Sequence, residues 1–270
     1  MQILILIIII IIGIYAFLEK SPINTRQLAL ASSLIVLYEI LNLISFSIPI
    51  MGYNAFKIGF SSIPLIIIGI IASKKVAFIS ALVADGIGLI ITSTAYPFLG
   101  FTLNTVLTIM LANLVFSNLN NIFSKNIVKQ IIKYSFYFIL CLFYLYLFML
   151  KEITIDNKII EMTNPIRISI IIISLIIILS IYLISKHFKN ISNSNIFFAC
   201  LISSFLTYFF IYTALTPIWL NYMYDIPIFI SIFIRLIKCI FMIPINTFIL
   251  YTVIKQLKLE KYFLSKIKVK

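Results

Sequence analysis

Residues 57–70 read KIGFSSIPLIIIGI, Lys74 and Lys75 follow, residues 81–90 read ALVADGIGLI, and residues 98–104 read FLGFTLN. Six of the seven glycines in the chain fall between Gly52 and Gly100, and a carboxylate, Asp85, stands directly before Gly86 inside an apolar run. Glycine lets backbones approach closely, and an ionisable group kept at membrane depth points to a bound solute.

Working outward, the surroundings are nearly hydrocarbon. The chain is 63% hydrophobic and only 11% charged, a balance that excludes a water-soluble globular domain. Spans long enough for a core about 30 Å thick, which takes about 20 helical residues, are expected at 2–18, 28–50, 57–73, 76–93, 102–118, 131–150, 167–185, 196–220 and 228–254. The expected fold class is therefore all-α, a polytopic transmembrane bundle of about nine helices.

Basic residues in short loops stay on the cytoplasmic side. If the spans alternate, Lys20 and Arg26, Lys74 and Lys75, Lys125 and Lys129, Lys186 and Lys189, and the lysines from Lys255 to Lys270 all share one side. That side is assigned to the cytoplasm, with the C-terminus inside. Positive-inside topology accounts for the net charge of +13, so no nucleic-acid partner is implied. The first span lacks a basic leader and a small-x-small cleavage site, and is read as a retained helix. Cys141, Cys200 and Cys239 each lie within an apolar span with no CxxC spacing, and read as packing residues.

Enzyme chemistry finds little purchase. The single histidine, His187, lies between Lys186 and Lys189 at an inner helix end, and HExxH and phosphate-loop patterns are absent from the sequence. No metal site or cofactor is expected, and no ATP hydrolysis by this chain. The ionisable groups within the spans are Glu39, Lys57, Asp85, Arg235 and Lys238. At about 1.5 Å per residue, Asp85 lies about 15 Å above Lys74 and Lys75, and Glu39 about 20 Å above Arg26. Each such group costs about 2.5–3.5 kcal/mol to insert. Two readings stay open: internal pairing, such as Asp85 with Arg235, or an outward-facing site for an anionic, hydrogen-bonding solute. Lys57 also fits a side chain snorkelling to the outer surface. Tyr53, Phe101, Thr102, Asn104, Trp219, Asn221 and Tyr222 fall at the same level, where an interfacial aromatic belt is also expected.

Residues 25–37 (TRQLALASSLIVL), Ile58, Gly59, Phe60 and Pro64, Ala84, Asp85 and Gly88, the loop from Phe98 to Thr102, and Arg235, Leu236, Ile237, Lys238, Pro244 and Ile245 resemble, in order and spacing, the substrate-binding S component of energy-coupling factor vitamin transporters, folate type. The resemblance covers 25–118 and 190–257. It implies an N-terminal extra helix (1–24), four helices of an S-component-like body (25–118), an inserted helix pair (119–189), the last two helices of that body (190–257) and a basic cytoplasmic tail (258–270). Leu99 stands where the family pattern has proline, and Ala29 and Ser33 supply the small-residue spacing that docks on the transmembrane T component in reduced form.

What the resemblance implies is uptake of a vitamin, folate first, by a bacterial cell-membrane protein working with a T component and two ABC-type ATPase subunits. Lys57, Arg235 and Lys238 would meet the glutamate tail, Asp85 or Asn104 the pterin edge, and Phe101 or Tyr96 the ring, with Thr102 beside them. Thiamine, riboflavin or pantothenate are the alternative solutes. A structural membrane protein with internally paired charges is the alternative class.

Overall fold

The computed structural model describes residues 1–20, 23–50, 53–92, 97–118, 191–226 and 228–259, together with two short strands and isolated positions between 134 and 175. Among these residues seven helical rods make up the bundle. They are α1 (Gln2–Phe17), α2 (Thr25–Leu43), α3 (Ser62–Ile71), α4 (Lys74–Thr92), α5 (Leu99–Ser117), a composite rod and α8 (Ile228–Gln256). The composite rod runs through α6 (Ile191–Phe205), a π-helical segment (Leu206–Leu215) and α7 (Thr216–Tyr224). Thr25–Leu43, Leu99–Ser117, Asn195–Tyr224 and Lys238–Gln256 are long and apolar enough to cross a membrane. The expected helices at 131–150 and 167–185 lie outside the described residues but for isolated positions, as do Tyr96, His187, Cys141 and the tail beyond residue 259.

Two antiparallel hairpins accompany the helices, β1 (Phe46–Ile50) with β2 (Tyr53–Ile58), and β3 (Glu152–Ile155) with β4 (Lys158–Glu161). The first corrects two sequence expectations. The span at 28–50 ends as helix at Leu43, and the span at 57–73 shrinks to Ser62–Ile71. Pro64 is the cause at one boundary, because its ring would collide with the carbonyl of Phe60 if the helix ran back through it. The helix therefore opens at Ser61, with Pro64 in the first turn, where a missing N–H goes unnoticed. Pro49 lies where the β1–β2 register shifts, between Ile48 and Ile50, at the irregularity where a strand tolerates proline. Lys57 is thus not the first residue of a helix: its backbone pairs with Ser47 in the hairpin.

α3 is the central post, and all ten of its residues are buried. It packs tightest on α5, because Gly69 lies against the backbone there. A Cβ at Gly69 would stand 2.5 Å from the Ile109 carbonyl oxygen and 2.8 Å from the Ala112 side chain. Asn113 of α5 seals the contact by donating from Nδ2 to the carbonyls of Gly69 and Ala72, both at 2.8 Å, which satisfies orphan acceptors at the end of α3. On one side of this post α3, α5, α6 and α8 share a core around Ile66, Ile70, Phe116, Cys200 and Leu250. On the other, α1, α2, α4 and α5 share one around Ile5, Ile35, Ala81, Val106 and Ile109.

At one end of the bundle the end of α1 and the start of α2 meet the start of α4. The backbone amide of Lys74 donates to Glu19 Oε2 at 2.8 Å, and that of Ser73 to Gln27 Oε1 at 3.1 Å. Side chains from the ends of α1 and α2 thereby cap the start of α4. Lys74 Nζ also meets the Tyr15 hydroxyl at 3.0 Å and lies 4.4 Å from its ring centre. Gly13 lets α1 come close, since a Cβ there would stand 2.9 Å from the Phe78 ring.

Candidate functional site

The polar residues of the spans gather on the helices facing one another across the bundle, and the gathering starts at Asp85. It lies in the middle of α4, half-buried, with Oδ2 accepting from Thr102 Oγ1 at 2.6 Å. That bond crosses to the first turn of α5, where Thr105 follows one turn later. Tyr38 of α2 packs, partly buried, against the core shared by α1, α2, α4 and α5. Glu39 itself is buried, its carboxylate packed on Gly88 of α4, where a Cβ would stand 3.2 Å from Oε1. Gly86 has nothing within 4 Å of a Cβ position, so its role as a close-approach glycine does not hold, whereas Gly69, Gly88 and Gly100 keep theirs.

The cations lie on α8. Arg235 and Lys238 of α8 are half-buried, one turn apart. Arg235 Nε donates to Ser231 Oγ at 3.4 Å and lies within charge range of Tyr212. Lys238 Nζ is 5.7 Å from the Tyr212 ring centre and 5.9 Å from that of Tyr208. Tyr212 therefore lies beside Lys238 and Tyr208. Asp85 has Thr102 as its hydrogen-bond partner and Arg235 has Ser231, so the internal Asp85–Arg235 ion pair weighed from sequence is not formed among the described residues.

Below the cations the protein spends many hydrogen bonds on Tyr208. Its hydroxyl meets Ser62 Oγ at 2.9 Å and accepts from Asn246 Nδ2 at 2.6 Å. Its carbonyl accepts from Thr213 Oγ1 at 2.9 Å and from Cys239 Sγ at 3.2 Å. Cys239 is thus a hydrogen-bonding residue as well as a packing one. In a span without water each of these groups needs a partner within the protein, and Tyr208 supplies one to α3, to α8 and to its own helix.

At the end of the bundle away from the Lys74 caps, Phe98 packs edge-on against Phe101 (centroids 6.0 Å apart) and tilted against Trp219 and Tyr222 (both 5.9 Å). Gly100 makes room for this cluster, as a Cβ there would stand 2.8 Å from the Trp219 ring. Asn104, expected from sequence as a solute contact, is buried with its amide already engaged: Nδ2 donates to Thr216 Oγ1 at 3.2 Å and Oδ1 accepts from Trp219 Nε1 at 3.1 Å. Leu99 occupies the first helical position of α5, after Phe98. That is where proline fits without losing a hydrogen bond, so leucine and proline are interchangeable there as far as the backbone is concerned.

The structure thus joins Asp85 to Thr102, sets Lys238, one turn from Arg235, beside Tyr208 and Tyr212, and places Phe101 in the aromatic cluster of Phe98. Lys57 sits on the β1–β2 hairpin by its backbone. Ala29 and Ser33 lie apart, on the exposed face of α2. Sequence reasoning missed Tyr38, Thr105, Tyr208 and Tyr212; the signal available was tyrosine within an apolar span, at positions four apart in the case of Tyr208 and Tyr212. Among the described residues no group of three or more His, Cys, Asp or Glu side chains could hold a metal ion. What the arrangement offers is acceptors and hydroxyls on one side and two cations on the other.

No protein-family model matches this chain, and no curated protein matches it. A solved structure titled "Crystal structure of FolT bound with folic acid" is similar to it with a TM-score of 0.47 at 20% sequence identity, over 85% of this chain and 93% of that one.

Proposed function

We propose that this chain is the membrane-embedded substrate-binding subunit of an energy-coupling factor vitamin transporter, capturing folate from outside the cell. The observation that carries the reading is that one apolar bundle holds a carboxylate, Asp85 of α4 bonded to Thr102 of α5, and two half-buried cations, Arg235 and Lys238 of α8. Two opposite charges kept half-buried and apart are costly in a membrane. A solute with a donor-rich ring and an anionic tail would offset that cost at both ends at once. Folate has this form: its pterin donates to a carboxylate such as Asp85, and its glutamate tail meets Arg235 and Lys238. The aromatic cluster of Phe98, Phe101, Trp219 and Tyr222 supports it by offering ring faces beside Thr102. Lys57, carried by the hairpin, and Asn104, set behind the cluster, belong to the same proposed site. The motifs at 57–70, 81–90, 98–104 and 235–245 support the transporter class by their order.

In this reading the lysine-rich end bearing the Lys74 caps faces the cytoplasm of a bacterial cell, and the C-terminus lies there too. A T component docks on the exposed face of α2 that includes Ala29 and Ser33, and two ABC-type ATPase subunits supply the energy. The test is uptake of labelled folate by cells co-expressing the chain with an energy-coupling module. Uptake above that of a Lys238→Ala variant is the expected result; equal uptake sinks the proposal. The ultraviolet spectrum of any small molecule that co-purifies with the protein separates a pterin from a flavin or a non-absorbing vitamin.

A further inference from the structure

The π-helical segment Leu206–Leu215 is ten residues long, whereas wide turns of this kind usually occur singly and at functional places. Two threonines account for its register. Thr213 Oγ1 donates to the Tyr208 carbonyl at 2.9 Å and Thr216 Oγ1 to the Ile211 carbonyl at 3.0 Å, each reaching back five residues. Threonines elsewhere in the bundle reach back four: Thr105 to Phe101, Thr108 to Asn104, Thr247 to Ile243 and Thr252 to Phe248, as does Thr207 to Ser203 at the opening of the segment. The hydroxyls of Thr213 and Thr216 therefore follow the wide turn, and they reinforce it at both ends of its latter half.

Each of the two also ties the segment outward, and in opposite directions. Thr213 Oγ1 meets Cys239 Sγ at 3.0 Å, on α8, directly after Lys238. Thr216 Oγ1 accepts from Asn104 Nδ2 at 3.2 Å, on α5, two residues after Thr102. One threonine thus binds the segment to the helix of the cations and the other to α5, whose Thr102 donates to Asp85. Tyr212 directly precedes Thr213 in the segment.

We infer that Thr213 and Thr216 are positioning residues that hold the π register and so fix the separation between the acidic and cationic ends of the site, selecting solutes by length. The inference rests on the folate reading and deepens it. A segment relaxed to the tighter α register would be longer and would shift its ties to Cys239 of α8 and Asn104 of α5.

The experiment is calorimetric titration of the purified full chain with folate and with pteroate, which shares the pterin and lacks the glutamate tail. Wild type is expected to prefer folate. Thr213→Val, which keeps the shape and removes the hydroxyl, is expected to reduce that preference by about fivefold or more, on the scale of one lost hydrogen bond. Thr213→Ser is expected to keep it. Thr216→Val tests the other tie independently, so the question does not hang on one variant folding. A preference unchanged in both valine variants overturns the inference, and so does an equal weakening of both ligands, which is what a merely structural role would give. Wild type binding neither ligand overturns the folate reading itself, and the inference falls with it.

Discussion

Asp85 depends on one short bond, and removing it separates the acid from its setting. Thr102→Val leaves the carboxylate without its 2.6 Å donor. A hydrogen bond to a charged group is worth about 1.5–3 kcal/mol. Folate affinity by calorimetry is therefore expected to fall by about tenfold or more in Asp85→Asn, and Thr102→Val is expected to follow it in direction. Unchanged affinity in both would remove Asp85 from the site. At this scale the ionisable residues were legible, because Asp85, Arg235 and Lys238 stand out against hydrocarbon. Tyr38 and Tyr212 were not, since a tyrosine in an apolar run has the same sequence appearance as an interfacial aromatic. Asn104 was legible as a polar residue but not as one whose amide is already spent on Thr216 and Trp219, because both partners lie more than a hundred residues away.

The helices themselves were legible wherever apolar length decided them: Gln2–Phe17, Lys74–Thr92, Leu99–Ser117 and Ile228–Gln256 agree closely with the spans read from hydropathy. The failure came between α2 and α3, where hydropathy does not distinguish a strand from a helix and where Pro49 and Pro64 settle the matter through backbone geometry. The π segment was illegible for a different reason, because its register rests on hydroxyl bonds and on Cys239 from another helix. Two predictions belong to elements. Gly69→Ala drives a methyl group into the Ile109 carbonyl and Ala112, and overpacking of this kind costs about 1–3 kcal/mol; a lowered midpoint of thermal unfolding in detergent is expected. Tyr208→Phe keeps the ring near Lys238 but leaves Ser62 Oγ without its Tyr208 partner and Asn246 Nδ2 with the Met242 carbonyl alone, a loss of about 1–3 kcal/mol for a buried group left without its partner. The same measurement is expected to show a clear fall, and no fall would mean that the Tyr208 hydroxyl does not pin α3 to α8.

Across the whole molecule, the bundle is joined at one end by side-chain caps. Glu19 and Gln27 bring α1 and α2 to the turn before α4. Removing Glu19 as a cap, in Glu19→Ala, is expected to cost about 0.5–2 kcal/mol in thermal stability while leaving solute binding as it was, because no residue of α1 takes part in the proposed site. A loss of binding without a loss of stability would contradict that division of labour. The Lys74 cap also has a consequence for how the protein is made. Glu19 and the amide it caps are 55 residues apart in the chain, and at a synthesis rate of about 5–20 residues per second the partner emerges roughly 3 to 11 seconds later. During that interval α1 can rest in lipid, being apolar around nearly its whole circumference, while Glu19 stays in water at the membrane surface. Docking of α1 onto α4 through this cap therefore waits until residue 74 has been made, so sequence changes that slow or hurry translation between residues 20 and 74 are expected to act on when α1 docks.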